Sequence, residues 1–294
     1  MWLRFADESP LDPPTRLGIL GLMTNTAALP MREPARRPFD AADFQRRLLA
    51  DADLLPERFR AYFEKYVRRD ADRCVTTLAL LPPAGEQTRV LEVGAFPGVM
   101  SLLLKEQGYV LECVDLDPSR MSGLIARHEI PVLEIDIEKG RLPQGEGSFD
   151  HVIFAEVLEH LRINPIGALR EAYRVLKPGG TLVLSVPNIK RSQRLEFLLG
   201  KDYQGDIAAE FAKLEQVGHM GHMRIYSRAD VLGVLELAGF EIQSCKRAGR
   251  REIPRAIYRP IFSALSLAAR LFPKVEVDLS ADADLSHLYV VATK

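Results

Sequence analysis

The sequence predicts an α/β protein built on a doubly wound, mostly parallel sheet, and three observations carry that expectation. From residue 89 onward, short runs rich in Val, Leu and Ile alternate with segments of helical period. The first run, Arg89-Val-Leu-Glu-Val-Gly-Ala-Phe-Pro-Gly98, ends in a glycine turn that opens a helix, and Tyr109-Val-Leu-Glu-Cys-Val114 closes on Asp115 one βαβ step later. Further on, Ser148-Phe-Asp-His-Val-Ile-Phe-Ala-Glu-Val-Leu-Glu-His-Leu161 reads as a fourth parallel strand running into a helix.

Residues 1–38 are rich in proline and show no sustained period, which predicts a loosely ordered arm. Over residues 39–85, Phe44, Leu48, Leu55, Phe59, Phe63 and Val67 recur at helical spacing, so two or three helices should form a cap beside the ligand entrance. Pro82-Pro83-Ala-Gly85 separates that cap from the sheet-bearing domain, 86–294.

Strands are expected at about 89–94, 110–115, 131–135, 149–154 and 181–186. Val90, Leu91 and Val93 suit a central strand, Gly94 lets the backbone turn close to a ligand, and Pro97-Gly98 starts the next helix. Asp115 is placed where a carboxylate takes ribose hydroxyls, which points to an adenosine-containing ligand. Asp117, before Pro118, is read as a helix N-cap. Pro187 has no N–H for a central ladder and Asn188 favours a turn, so the fifth strand should stop near Val186. Residues 188–222 lack a strand pattern and are read as a substrate cap, Ser227 to Gly239 as a helix ended by glycine, and Phe240 to Cys245 as a strand.

Residues 247–279 are read as a helical insertion before the last strand, His287 to Thr293, with the basic run Lys246-Arg-Ala-Gly-Arg-Arg251 leading into it. Arg255, Arg259, Ser263, Ser266 and Arg270 fall on one stripe, and Ile257, Ile261, Phe262, Leu265, Ala268 and Phe272 cover the rest. Such a helix is buried or lies against a partner or membrane interface, and Pro260 would kink it.

A chain of 294 residues, 47% hydrophobic and 27% charged, can bury a substantial core. Its formal charge of −1 gives no global attraction to nucleic acid, which is not an expected partner. Cys74, Cys113 and Cys245 are odd in number and lack metal-ligand spacing, which fits a reduced, cytoplasmic setting. The apolar run Leu17–Met23 is too short to span a bilayer, so membrane contact would be peripheral, at the inner face through 253–272.

The spacing of the first turn decides between nucleotide types. A dinucleotide site wants G-x-G-x-x-G, whereas Gly94 and Gly98 stand four apart with Phe96 between them, and Glu92 would repel a pyrophosphate. Here the chain resembles the class I S-adenosylmethionine (SAM)-dependent methyltransferases, whose first motif is acid-x-Gly-x-Gly-x-Gly; Phe96 stands in place of the middle glycine. The resemblance extends through Leu176-Lys-Pro-Gly-Gly180, a recurrent turn into the fifth strand, to the last strand, which the family runs antiparallel. It implies a Rossmann-like fold and SAM as cofactor, bound by Glu92 and Gly94 near its methionine part, Gly98 in the same loop, Asp115 on the ribose and Asp136 beside the adenine amino group.

Glu156, Glu159 and His160 would share one helical face near the cofactor methyl, with His222 completing the group and His219 as its substitute. His160, His222 and Glu156 are the candidate catalytic residues. Glu-x-x-Glu-His with a downstream His also resembles the metal-binding pattern of small-RNA 2′-O-methyltransferases and ubiquinone-pathway O-methyltransferases. Glu156, Glu159, His160 and His222 could thus hold a divalent ion, although the same sequence occurs in metal-free relatives and a metal-free site is preferred. The resemblance implies methylation of oxygen on a small-molecule, glycan or lipid-linked acceptor, as in quinone and saccharide pathways. An RNA 2′-O-methyltransferase and a catalytically silent SAM-binding scaffold are the alternatives.

Overall fold

The protein is described from a computed structural model, over residues 36–188, 207–218, 221–251 and 285–294. The proline-rich arm up to residue 35, most of the 188–222 segment with His219, and the amphipathic stretch 253–272 lie outside the described residues.

Helix α1 (Ala41–Ala50) begins where the Asp40 side chain accepts from the Ala42 and Asp43 N–H groups, and α2 (Glu57–Ala79) follows. On α2, Phe59, Phe63, Val67, Ala71, Cys74 and Leu78 recur every three or four residues and are buried, which fastens the helix along the sheet. Phe63 and Val67 are fully buried, each stabilising by about 1.5–3 kcal/mol.

The sheet runs β1 (Arg89–Val93), β2 (Val110–Asp115), β3 (Val132–Glu134), β4 (Phe149–Ala155), β5 (Leu176–Pro187), β6 (Glu241–Arg251) and β7 (Leu285–Thr293). Its spatial order is β3-β2-β1-β4-β5-β7-β6. The first five strands pair in parallel, and β7 inserts antiparallel between β5 and β6, as the family resemblance implies. Between the strands lie α3 (Val99–Gln107), α4 (Ser122–His128), α5 (Pro165–Val175), α6 (Ile207–Val217) and α7 (Arg228–Ala238).

Alternate residues of each strand enter two separate cores. Leu91, Val93, Val114 and Val152 pack with α5 and α7 on one face, while Val90, Cys113, Ile153 and Val183 pack with α2, α3 and α4 on the other. The strand order reverses between β1 and β4, and a crevice opens there beyond their C-terminal ends.

Three local expectations are corrected. Glu156, Glu159 and His160 do not lie on an α-helix. Glu156 takes a left-handed conformation (φ 57°), a single 3-10 turn spans Leu158–His160, and α5 starts only at Pro165, where Asn164 caps it. The cause is a strand end held by the neighbouring strand, because the Glu156 N–H donates to the Ser185 carbonyl at 2.9 Å. Second, the basic run Lys246–Arg251, whose residues 247–251 opened the expected insertion, is the distal half of β6. Antiparallel pairing with β7, Arg247 against Leu288 and Arg251 against Leu285, keeps it extended. Third, β5 joins the ladder earlier than residue 181: Leu176 pairs with Phe149, and the register shifts across the Lys-Pro-Gly-Gly turn before Thr181 meets His151. Asp117 does cap the 3-10 turn that follows it, accepting from the Ser119 N–H.

Candidate active site

A cavity of about 460 Å³ lies at the sheet reversal, lined among others by Glu92, Gly94, Phe96, Asp115, Asp136, Glu156, Glu159, His160 and His222. The floor is set by Gly94, whose φ of 78° is costly for any residue with a side chain. Its N–H donates to the Val114 carbonyl at 2.8 Å, and a Cβ here would come within 2.4 Å of Val157 Cγ2. Gly98 does not line the cavity; with φ of 88° it turns the chain into α3.

Phe96 shows how the loop accommodates a large residue at the middle glycine position. Its ring stacks on Tyr62 of α2 (centroids 5.4 Å, planes 16° apart) and meets Phe59 edge-on at 5.7 Å. Its backbone N–H remains on the Asp115 carboxylate at 2.9 Å. The side chain docks on α2, and the backbone keeps the tight turn.

Asp115 is nearly buried. Oδ2 accepts from Phe96; Oδ1 accepts from the Asp117 N–H at 2.9 Å and from Arg120 at 2.8 Å. Glu92 is 3% exposed and accepts from Ser101 Oγ at 2.5 Å and the Cys113 thiol at 3.4 Å. Burial outweighs these two donors and pushes the Glu92 carboxyl up to about 8. Asp136 is more open; burial works against its charge, but Lys139 at 2.9 Å and the Glu138 N–H hold it below the usual carboxylate range.

At the far end, the structure divides the four acid and imidazole candidates into two sets. Burial disfavours the Glu156 charge, but His287 Nε2 (3.3 Å), Arg73 Nη1 (2.6 Å) and Ser185 Oγ (2.8 Å) keep it ionised and lower its carboxyl to about 2. Ser286 Oγ lies 2.7 Å from His287 Nδ1 and fixes the far side of that ring.

Glu159, His160 and His222 form the second set, with one potential ligand atom from each lying within 4.8 Å of the others. Glu159 is 1% exposed, and neither carboxylate oxygen has a hydrogen-bond partner. Burial, reinforced by the Glu156 charge, raises it well above the usual range and favours the neutral acid. The His160 and His222 rings meet edge to face at 5.0 Å. His160 Nδ1 lies 3.2 Å from the Gly221 carbonyl, which can only accept, so neutral His160 carries its proton on Nδ1 and Nε2 is the basic nitrogen. His222 stands at the rim, where burial of its inner edge and the nearby His160 hold it below the ordinary imidazole value.

A second cavity of about 780 Å³ shares Tyr62, Lys65, Arg73, Glu156, Lys213 and His222 with the first and extends toward Ser286, His287 and Tyr289. Sequence reasoning missed Tyr62, Arg73, Arg120, Ser185 and His287. For Arg73 a signal existed: Lys65, Arg69 and Arg73 recur every four residues on the polar side of a helix whose opposite face is core.

The chain matches the methyltransferase domain family over residues 63–244. It is 32% identical over 120 residues to a ubiquinone biosynthesis O-methyltransferase of Xanthomonas oryzae pv. oryzae, covering 39% of this chain and 49% of that protein. A ubiquinone biosynthesis O-methyltransferase of Xanthomonas axonopodis pv. citri is 27% identical over 197 residues, 65% of this chain and 74% of that one. The chain thus spans about half the length of the first of these relatives. Among solved structures, a chain of the complex between the Haloferax volcanii Trm112 methyltransferase activator and its methyltransferase superposes with a TM-score of 0.53. It is 17% identical and covers 86% of this chain and 97% of its own length, a likeness of fold.

Proposed function

The chain belongs to the class I SAM-dependent methyltransferases, and from that premise we propose that it methylates an oxygen of a small-molecule, glycan or lipid-linked acceptor. One observation carries the choice of oxygen: in the first cavity, ring to ring with His222, which lines both cavities, His160 keeps its Nδ1 on the Gly221 carbonyl, so its basic nitrogen is Nε2. A hydroxyl acceptor must lose a proton as its oxygen attacks, and a positioned imidazole supplies that step. The names of the curated relatives support the same chemistry.

The residues present fit the cofactor. The 460 Å³ cavity is of ligand size, and Gly94 and Val157, both in its lining, pack so closely that no Cβ fits at residue 94. SAM, when bound, supplies a methyl group on a sulfonium, activated for in-line displacement. Glu92 would meet its cationic amino-acid end, Asp115 the ribose hydroxyls and Asp136 the adenine edge. Glu156, ionised and clamped by Arg73, Ser185 and His287, orients the wall between the two cavities, and His160, aided by His222, takes the acceptor proton.

A second reading rests on the orphaned Glu159 carboxyl. With His160 and His222 it makes a mixed oxygen and nitrogen donor set that suits a divalent ion, which would lower the acceptor's pKa and suit a catechol, a vicinal diol or an RNA 3′ end. We favour the metal-free form because Glu156 is committed to Arg73, Ser185 and His287, leaving three donors where four converge in the motif.

Native mass spectrometry for bound SAM, followed by transfer of labelled methyl into lipid, saccharide and RNA fractions of a cell extract, tests the proposal. Label in the lipid, saccharide or other small-molecule fraction is expected. Label confined to RNA, or no transfer by SAM-loaded protein, would overturn it. Asp115→Ala should weaken SAM binding more than tenfold, about 1.4 kcal/mol.

A further inference from the structure

Arg120 is a buried cation that neither the cofactor nor the acceptor explains directly. It is 4% exposed and lies in the 3-10 turn after β2. Nη2 donates to Asp115 Oδ1 at 2.8 Å, Nε to the Asp117 carbonyl at 3.1 Å and Nη1 to the Val217 carbonyl at 3.1 Å, while the guanidinium lies over the Phe96 ring, 4.2 Å from its centroid. Val217 ends α6, the helix that contributes Lys213, Leu214 and Val217 to the wall of the cavity. The next residue, Gly218, has φ of 75°, and a Cβ there would come within 3.0 Å of Arg120 Cδ, so the end of α6 rests directly on the arginine stem.

We propose that Arg120 is a positioning residue that joins the cofactor carboxylate to the α6 wall, so that filling the cofactor site stiffens the acceptor side of the cavity. The inference rests on the assignment of Asp115 to the cofactor. An ionised carboxylate offers about four acceptor positions, and Phe96, Asp117 and Arg120 take three, which leaves one for a ribose hydroxyl without displacing the arginine. A ligand bound there fixes Asp115, Asp115 fixes one end of the planar guanidinium, and the other end holds the α6 terminus. Rigid fork geometry makes arginine suited to this; a lysine ammonium can hold Asp115 but cannot span to the Val217 carbonyl as well. Sequence gave no warning, because Arg120 and Val217 are 97 positions apart.

Hydrogen exchange of the full chain, with and without saturating SAM, tests the coupling in wild type, Arg120→Lys and Arg120→Met. In wild type, SAM should slow amide exchange in residues 89–98 and 110–117 and also, at least fivefold, in 207–218. In Arg120→Lys, SAM affinity should stay within about tenfold of wild type, with protection retained in the first two segments and lost in 207–218. Arg120→Met should lose the same protection and bind SAM more weakly; if leaving Asp115 without its cationic partner prevents folding, wild type and Arg120→Lys decide. SAM that binds wild type without changing exchange in 207–218, or equal protection there in Arg120→Lys, would overturn the inference alone. Wild type that binds no SAM would overturn the cofactor assignment and this inference with it.

Discussion

Glu92→Gln should shift the stability difference between variant and wild type in the variant's favour as pH rises, in the ligand-free protein, while weakening its cofactor binding. Glu92 is 3% exposed, and its folded-state carboxyl is raised from 4.5 to about 8 by burial. A raised folded pKa means that the stability associated with the neutral acid is fully present below about pH 4.5 and is lost as pH rises through about 8. At about 1.4 kcal/mol per pH unit, ionised Glu92 costs the fold up to about 5 kcal/mol. Water entering the cavity moderates this, so about 2–5 kcal/mol is expected at pH 9. Glutamine keeps the shape and an acceptor for Ser101 Oγ but never ionises. Its unpaired amide adds a roughly constant cost of about 1–3 kcal/mol at every pH, so the informative quantity is the change in the difference between the two proteins. Guanidinium unfolding of ligand-free wild type and variant at pH 4, 6, 8 and 9 measures it. Wild type should lose ground steadily from pH 4.5 and level off above about 8. At pH 9 the variant should bind SAM at least tenfold more weakly, because the countercharge to the ligand's cationic end is gone. A stability difference that stays flat from pH 4 to 9 would refute the buried, proton-holding state of Glu92.

Gly94→Ala places a methyl 2.4 Å from Val157 Cγ2 at φ of 78°, so it should cost about 2–4 kcal/mol and abolish measurable SAM binding; thermal melts and calorimetry read both. Glu159→Gln, which replaces a neutral acid by a neutral amide, should retain at least a third of wild-type activity, and EDTA should leave wild type unchanged. Stoichiometric metal in the purified enzyme, lost together with activity in Glu159→Gln and His222→Ala, would show instead that the donor set is a metal centre. If residues 253–272 meet lipid, the protein should float with anionic liposomes at low salt and lose that binding on Phe262→Ser with Leu265→Ser; absence of flotation would remove the membrane from the acceptor's route. No helix among the described residues is long and apolar enough to cross a bilayer.

The sequence by itself determined the sheet, the turn at Gly94 and the acidic residue ending β2, since each is written in local terms: apolar runs of strand length, a glycine where φ must be positive, and one crossover between motifs. The same local logic failed at Glu156 to His160, where helical spacing was read into a strand end. The Glu156 N–H is bound by Ser185 of the neighbouring strand, and a left-handed residue breaks the helix before it starts. It failed again at residues 247 to 251, which were read as the start of a helical insertion and which pairing with β7 holds as a strand. Only the tertiary structure decided which charges meet. Arg73, Glu156 and His287 are drawn from α2, the end of β4 and β7, and Arg120 joins Asp115 to Val217. No periodicity records such pairs, because an ion pair between distant segments is selected by desolvation: once the sheet and helices bury these groups, each must find the partner that the fold brings within reach.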